Sequence, residues 1–330
     1  MFGALSRRAN PTPDSCPVLE DVMTAEGSPN QPVLAYLGPE GTYTHQAAND
    51  YFAESVSYIS CQTIASAFHA LGGSADIAFL PIENSTHGAV IETLDLLRLA
   101  SSENQFIRGE ALASISHCLV VRKGTKFENI QTVLSHEQVG ESKALGQCSA
   151  FIKDRLPSAR TVKTVSTAAA AQQVLRDSTS TSAAICSSLC TKLYPGLALL
   201  AENIQDAAAN VTRFIVLSAP HATLPSPTAS GLPSGQPQWC AMLRITPPPA
   251  HSLNLGDVFG TIQPLAIARV DRRPSLSPTL FQDTYFVKVR DSGTSTDLEW
   301  KVAVTAAASR VLTKIPHGET NCTILGIWKA

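Results

Sequence analysis

The sequence lacks most of the signatures that assign a protein on sight. No apolar run approaches the roughly 20 residues of a membrane-spanning helix. Lys and Arg number 25 against 27 Asp and Glu, a net charge of −2. That balance gives no global attraction to nucleic acid or to an anionic membrane. The eight cysteines, Cys16, Cys61, Cys118, Cys148, Cys186, Cys190, Cys240 and Cys322, form no CxxC pair. Scattered in this way, they read as buried reduced thiols of a cytoplasmic protein. The eight histidines show no HExxH-like spacing, so no metal site is expected. There is no GxxxxGK[ST] loop, no GxGxxG turn and no nucleophile elbow with a Ser-His-Asp order.

The first residues carry Arg7 and Arg8 but no apolar core of a secretory signal, and Asp14, Glu20, Asp21 and Glu26 argue against an organelle-targeting leader. Residues 1–32 are therefore expected to be a disordered extension. Composition changes at Pro32-Val33, where "VLAYLG" begins, and again at "SAPHATLPSPTASGLPSGQPQ", rich in Pro, Gly and Ser. The expected organisation is one domain over 33–218 with a second lobe at about 115–200, a linker over 219–238 and a small domain over 239–330.

Within 33–218, strand-like runs alternate with helical patterns, which predicts an α/β fold with largely parallel sheets. In such sheets ligands sit beyond the carboxyl ends of the strands. The C-terminal stretch reads β-α-β-β-α-β: "WCAMLRIT", "LNLGDVFGTIQPL", "AIARVDRRP", "TYFVKVRD", "DLEWKVAVTAAASRVL" and "TNCTILGIW". That is a ferredoxin-like order.

Short polar residues do gather after strands. "LGPEGTYTH" places Gly41 and Thr42 at a helix start, and "PIENSTHG" places Asn84, Ser85 and Thr86 there. "TVSTAAAA" repeats the arrangement with Ser166, Thr167 and Ala168. Each is an ordinary cap in the first instance, yet each also offers helix N-terminal amides to an anion. Before the apolar run Phe214–Leu217 stand Asn210, Thr212 and Arg213. A guanidinium can hold a carboxylate through two parallel hydrogen bonds, so the residues describe a cleft for a small carboxylate-bearing compound.

The stretches "GPEGTYTHQAA", "PIENSTHGAV…DLL", "SHEQ…ALGQC", "STAAAA" and "NVTRF" follow the order found in prephenate dehydratases, and the C-terminal part resembles that family's ACT regulatory domain. The resemblance covers roughly Val33 to the end. It implies two lobes of the periplasmic-binding-protein type with the site between them. It also implies conversion of prephenate to phenylpyruvate without a cofactor, inhibition by L-phenylalanine, and a homodimer or homotetramer. The threonine held essential in the family corresponds to Thr212. Arg213 would then clamp a prephenate carboxylate, and Phe214 would line a drier part of the cleft. His45, His87 and His136 are the alternative acids.

The chain departs from the family in two places. "SHEQVGESKAL" is longer than the usual joint, with the extra residues around Val139–Lys143. In the ACT-like part the family's Glu-Ser-Arg-Pro is Asp271-Arg272-Arg273-Pro274, and "LNLGDVF" replaces its Gly-Ala-Leu stretch. The resemblance assigns phenylalanine contact to Asp271, Arg273 and Pro274, with Leu255 and Val258 from the helix. The segment ahead of Val33 is short for a chorismate mutase domain, so no such fusion is expected. Two other readings stay open: the same chemistry on arogenate, and a non-catalytic small-ligand sensor of the same fold.

Overall fold

A computed structural model describes residues 31–330 except 101–104, 137–143, 207–209, 229–237, 249–252, 278, 292, 294 and 315–320. The expected tail, the inserted stretch Val139–Lys143 and the later part of the linker lie outside the described residues, apart from Gln31, Pro32 and Gln238 at their edges.

The first lobe begins with β1 (Val33–Leu37), α1 (Tyr43–Phe52), β2 (Ser57–Cys61), α2 (Ile64–His69) and β3 (Ile77–Asn84). A short β4 (Gly88–Ala89) and α3 (Ile91–Leu97) follow. β1 pairs in parallel with both β2 and β3, as right-handed βαβ crossovers require. β3 is apolar and buried from Ile77 to Ile82, the composition of a strand covered on both faces. β5 (Phe106–Ser114) then leads out of the lobe, and β11 (Val211–Ser218) returns to it, antiparallel to both β3 and β5.

Between those two crossings lies the second lobe. It comprises β6 (Cys118–Arg122), β7 (Thr132–His136), α4 (Ala144–Gln147), α5 (Ser149–Arg155), β8 (Arg160–Thr164), α6 (Thr167–Arg176), β9 (Ser182–Cys186), α7 (Leu189–Leu193) and β10 (Leu197–Ala201). Its sheet runs β10-β6-β9-β7-β8, with separate apolar clusters on its two faces.

The C-terminal domain comprises β12 (Trp239–Thr246), α8 (Leu255–Ile262), β13 (Ala266–Pro274), β14 (Asp283–Arg290), α9 (Asp297–Lys314) and β15 (Asn321–Lys329). Its strands lie in the order β13-β14-β12-β15, the ferredoxin-like arrangement, under the two helices. This sheet does not stand apart. β15 meets β5 in parallel at Gly326 and Ile107, where any side chain on Gly326 would collide with Ile107. The first-lobe and C-terminal strands thus form one ten-stranded sheet. Cys240, Met242, Phe286, Leu325 and Trp328 share a core with Ile82, Leu94, Ile107 and Ile215.

Four expectations change. The sheets within 33–218 are mixed rather than largely parallel, because β11 returns antiparallel to β3 and β5, and β6 runs antiparallel to β9 and β10. The helical pattern of residues Ala144–Arg155, which the sequence would carry as one helix, is broken at Cys148 into α4 and α5. β5 was not expected as a strand. The first part of the linker is not a free spacer: Arg108 Nη1 donates to the carbonyls of Ala219 (2.9 Å), Pro220 (2.6 Å) and Ala222 (3.2 Å). Among the described residues no helix is long and apolar enough to cross a membrane, and no cluster of His, Cys, Asp and Glu is suited to a metal ion.

Candidate active site

The mouth of β11 lies where the two lobes meet. Strand register sets Thr212 opposite Asn84 on β3 and opposite Ala113 on β5. The Asn84 amide nitrogen donates to Asn210 Oδ1 (2.7 Å) and to Thr212 Oγ1 (2.9 Å). Its carbonyl oxygen accepts from the backbone amides of Thr86 (2.9 Å) and His87 (3.0 Å), which fixes its orientation. Ser85 ties the loop to β11: its Oγ accepts from Val211 N at 2.9 Å, and its N–H donates to Val211 O at 2.8 Å. With Asn84 donating into Oγ1, the Thr212 proton is directed away from the amide.

The network continues into the second lobe. Asn210, buried at 7% exposure, donates to Gln147 Oε1 at 3.3 Å. The same oxygen lies 2.5 Å from His117 Nε2. His117 Nδ1 meets the Tyr43 hydroxyl, which belongs to α1 in the first lobe. Because Nε2 faces a carbonyl oxygen it carries the proton, and Nδ1 accepts from Tyr43. Burial lowers the His117 pKa against an opposing hydrogen bond from Gln147, and burial raises that of Tyr43. The chain Tyr43–His117–Gln147–Asn210–Asn84–Thr212 is therefore a continuous network of neutral hydrogen bonds spanning both lobes, in which His117 and Asn210 both donate to Gln147 Oε1 and Asn84 donates to both Asn210 and Thr212.

Gly41 forms the second contact between the lobes. Its φ of +83° suits glycine, and a Cβ there would lie 2.9 Å from Cys190 Sγ and 3.5 Å from Ala168 Cβ. Its carbonyl accepts from Ser187 Oγ at 2.9 Å and its N–H donates to His45 Nδ1 at 3.0 Å. Thr42 and Ser166 act as caps, accepting from His45 N (3.3 Å) and Ala169 N (3.0 Å). Thr167 and Ala168 are buried at the start of α6.

His45 is 6% exposed and stacked on Tyr36 at 4.7 Å, and burial pulls its imidazole from 6.5 down to about 4. It is thus neutral near pH 7, as its acceptor role requires. The folded pKa lies below the unfolded one, so the stabilisation is present above about pH 6.5 and lost as pH falls toward 4. The loss amounts to at most roughly 3 kcal/mol. Thermal unfolding of the protein and of His45→Gln across that window checks this: the two curves are expected to converge on acidification, and a constant gap between them would contradict it.

Two expected site residues are placed elsewhere. Phe214 is 1% exposed and stacked on Phe79 at 4.9 Å within the first-lobe core, so it lines no cleft. Arg213 extends from the opposite face of the sheet to Thr212. Its Nε lies 3.0 Å from Glu83 Oε2, and its Nη1 is paired with Glu110. A cavity of about 460 Å³ on that face is lined by Glu83, Glu110, Arg213, Arg269, Lys288 and Arg290, among others. His136 donates Nδ1 to Thr164 O at 3.1 Å, and His87 is exposed. The five C-terminal positions lie on two elements, α8 and β13. Val258 is a buried residue of α8, and Leu255 opens the same helix. Asp271 and Arg273 pair with Arg269 and Asp95, and the Pro274 carbonyl accepts from Arg98.

Tyr43, His117 and Gln147 were not expected at the site. Gln147 stands inside the quoted "ALGQC" stretch, and His117 is a polar residue set against the apolar run Cys118–Val121, which was the available signal.

A family model described as prephenate dehydratase matches residues 34–222. The bifunctional chorismate mutase/prephenate dehydratase of Neisseria gonorrhoeae is 34% identical over 276 residues, 81% of this chain and 69% of that protein. The prephenate dehydratase of Amycolatopsis methanolica is 37% identical over 198 residues, 60% of this chain and 61% of that one. Among solved structures, the prephenate dehydratase of Arthrobacter aurescens in complex with L-Phe superposes with a TM-score of 0.70 at 29% identity, covering 90% of this chain and 89% of that one. The chain spans about half to two thirds of the length of the curated relatives it matches. With these matches falling on the same segments that build the inter-lobe network, the chain belongs to the prephenate dehydratase family.

Proposed function

We propose that the chain catalyses the decarboxylating dehydration of prephenate to phenylpyruvate. The bond between ring carbon and carboxylate breaks, releasing carbon dioxide. Its electron pair moves through the ring and expels the hydroxyl from the opposite carbon, which leaves as water after taking a proton. Aromatisation supplies the driving force, and the overall change is redox-neutral, so no oxidant or reductant is consumed. The enzyme's task is to hold a dianion in place and to polarise the leaving hydroxyl.

The observation that carries this reading is the Thr212 hydroxyl, which accepts from Asn84 at 2.9 Å and so keeps its own proton for donation. A threonine hydroxyl is too weak an acid to give up its proton outright near pH 7. Its contribution is a hydrogen bond that strengthens as charge builds on the leaving oxygen. Asn210 and Gln147 extend the polar surface of the cleft. The first turns of α1 at Gly41–Thr42 and of α6 at Ser166–Ala168 offer helix N-termini to the substrate carboxylates. Arg213 is left out of substrate binding in this scheme, because its guanidinium is engaged on the far face.

The C-terminal domain is read as an ACT-type regulatory domain that responds to L-phenylalanine, in an assembly of two or four chains. Its ferredoxin-like strand order and the likeness to the Arthrobacter protein, solved with L-Phe, support this. Incubation of purified protein with prephenate and, in parallel, with arogenate tests the substrate assignment. Phenylpyruvate from prephenate is expected. Phenylalanine from arogenate with no turnover of prephenate would move the chemistry to the amino counterpart, and turnover of neither by folded protein would overturn the assignment.

A further inference from the structure

The C-terminal domain grips the first lobe through charge, and it does so one residue away from the proposed catalytic pair. On β13, Arg269, Asp271 and Arg273 are half-buried and alternate with exposed Val270, Arg272 and Pro274. Period-2 alternation therefore sends the first three toward the first lobe. Arg269 pairs with Glu83, and is itself held by Asp271 through Nε (2.6 Å) and Nη2 (2.8 Å). Arg273 clasps Asp95 on α3 with bonds of 2.6 and 3.0 Å. From β14, Lys288 Nζ reaches Glu110 Oε2 at 2.5 Å, and Glu110, 2% exposed, also takes Arg213.

Glu83 precedes Asn84 and Arg213 follows Thr212, and the two pairs are adjacent rungs of one ladder, Arg213 opposite Glu83 and Thr212 opposite Asn84. Successive side chains of a strand point to opposite faces, so the rung that carries the ion pairs is rigidly joined to the rung that carries the hydroxyl and the amide. A buried ion-pair cluster is a costly way to fasten two domains that already share an apolar core, but it is directional where apolar contact is not.

We propose that Arg269, with Asp271 and Lys288, acts as a set of positioning residues that aligns Thr212 and Asn84 from the C-terminal domain. This rests on the assignment of Thr212 as the donor, and the test separates the two ideas. The variant Arg269→Met is compared with Arg272→Met, whose side chain is 74% exposed and pairs with Asp283 on the neighbouring strand. Arg269→Met is expected to lower kcat about tenfold, since displacements of about an ångström are costly in rate. KM should stay within about twofold, because ground-state binding is not what the cluster provides. Backbone amide exchange should quicken at Val211–Arg213 and Asn84–Ser85 but not in β9 of the second lobe. Arg269→Lys, which keeps the charge but cannot span Asp271 and Glu83 as the guanidinium does, should recover part of the loss, and Asp271→Asn should reproduce it in milder form. Arg272→Met should match the wild type throughout. Equal kcat and equal exchange in Arg269→Met and Arg272→Met would overturn the proposal, as would uniform loss of protection across both lobes. Should the wild type leave prephenate unchanged, the exchange pattern alone decides whether the coupling exists.

Discussion

Replacing Thr212 with Val is expected to lower kcat for prephenate about a hundredfold while changing KM little. Valine matches threonine in shape and puts a methyl group where the hydroxyl stood, so the volume around β11 is kept while the hydrogen-bonding group is removed. What disappears is one hydrogen bond to the departing oxygen, and removal of one such donor costs roughly 3 kcal/mol of transition-state stabilisation. A bond made mainly in the transition state is lost from kcat and not from KM. The variant also leaves one Asn84 N–H without its acceptor, at a cost of about 1–3 kcal/mol in stability. Thr212→Ser restores the hydroxyl and should recover much of the rate. Steady-state kinetics of the three proteins check this. A raised KM with unchanged kcat would make Thr212 a binding group and remove its catalytic role.

Replacing Arg213 with Met is expected to act first on stability. Glu110 is 2% exposed and loses one of its two cationic partners, while Glu83 loses a 3.0 Å contact. Breaking a fully buried ion pair costs about 3–5 kcal/mol. Arg213 is 31% exposed and Lys288 remains beside Glu110, so a loss of roughly 2 kcal/mol is expected here. Arg213→Lys should fall in between, since an ammonium cannot span both carboxylates as the guanidinium does. KM for prephenate should hold. Denaturant unfolding with parallel kinetics distinguishes the outcomes: a tenfold rise in KM at unchanged stability would return Arg213 to the substrate, as the motif alone had implied.

That case shows what could be read from residues and what could not. Alternation along a strand already separates Thr212 from Arg213, but the family motif groups them, and the motif was followed. Phe214 shares the Thr212 side of β11, yet one step deeper it meets Phe79 rather than a cleft. Strands with plain apolar runs, such as β1 and β3, were legible because burial on both faces leaves a continuous signal. β5 was not, because "FIRGEALAS" carries Arg108, Gly109 and Glu110 at its centre. Those residues look like a loop until Glu110 is seen paired with Arg213 and Lys288, and Arg108 is seen holding the start of the linker. The local motifs at Gly41, Ser166 and Thr212 were legible as helix starts and a strand end, whereas Asn84–Thr86, read as a helix start, end β3 and open its turn into β4. Their partners Tyr43, His117 and Gln147 were not singled out, because contacts such as Tyr43 with His117, 74 positions apart, depend on how the lobes close on each other.

We propose the polar mouth of β11 as a catalytic site for prephenate. The measurement that tests it most directly is phenylpyruvate formation from prephenate by the purified chain and by Thr212→Val, with both proteins confirmed as folded. Product is expected from the wild type, and about one hundredth of that rate from the variant. Equal rates in the two proteins would contradict it.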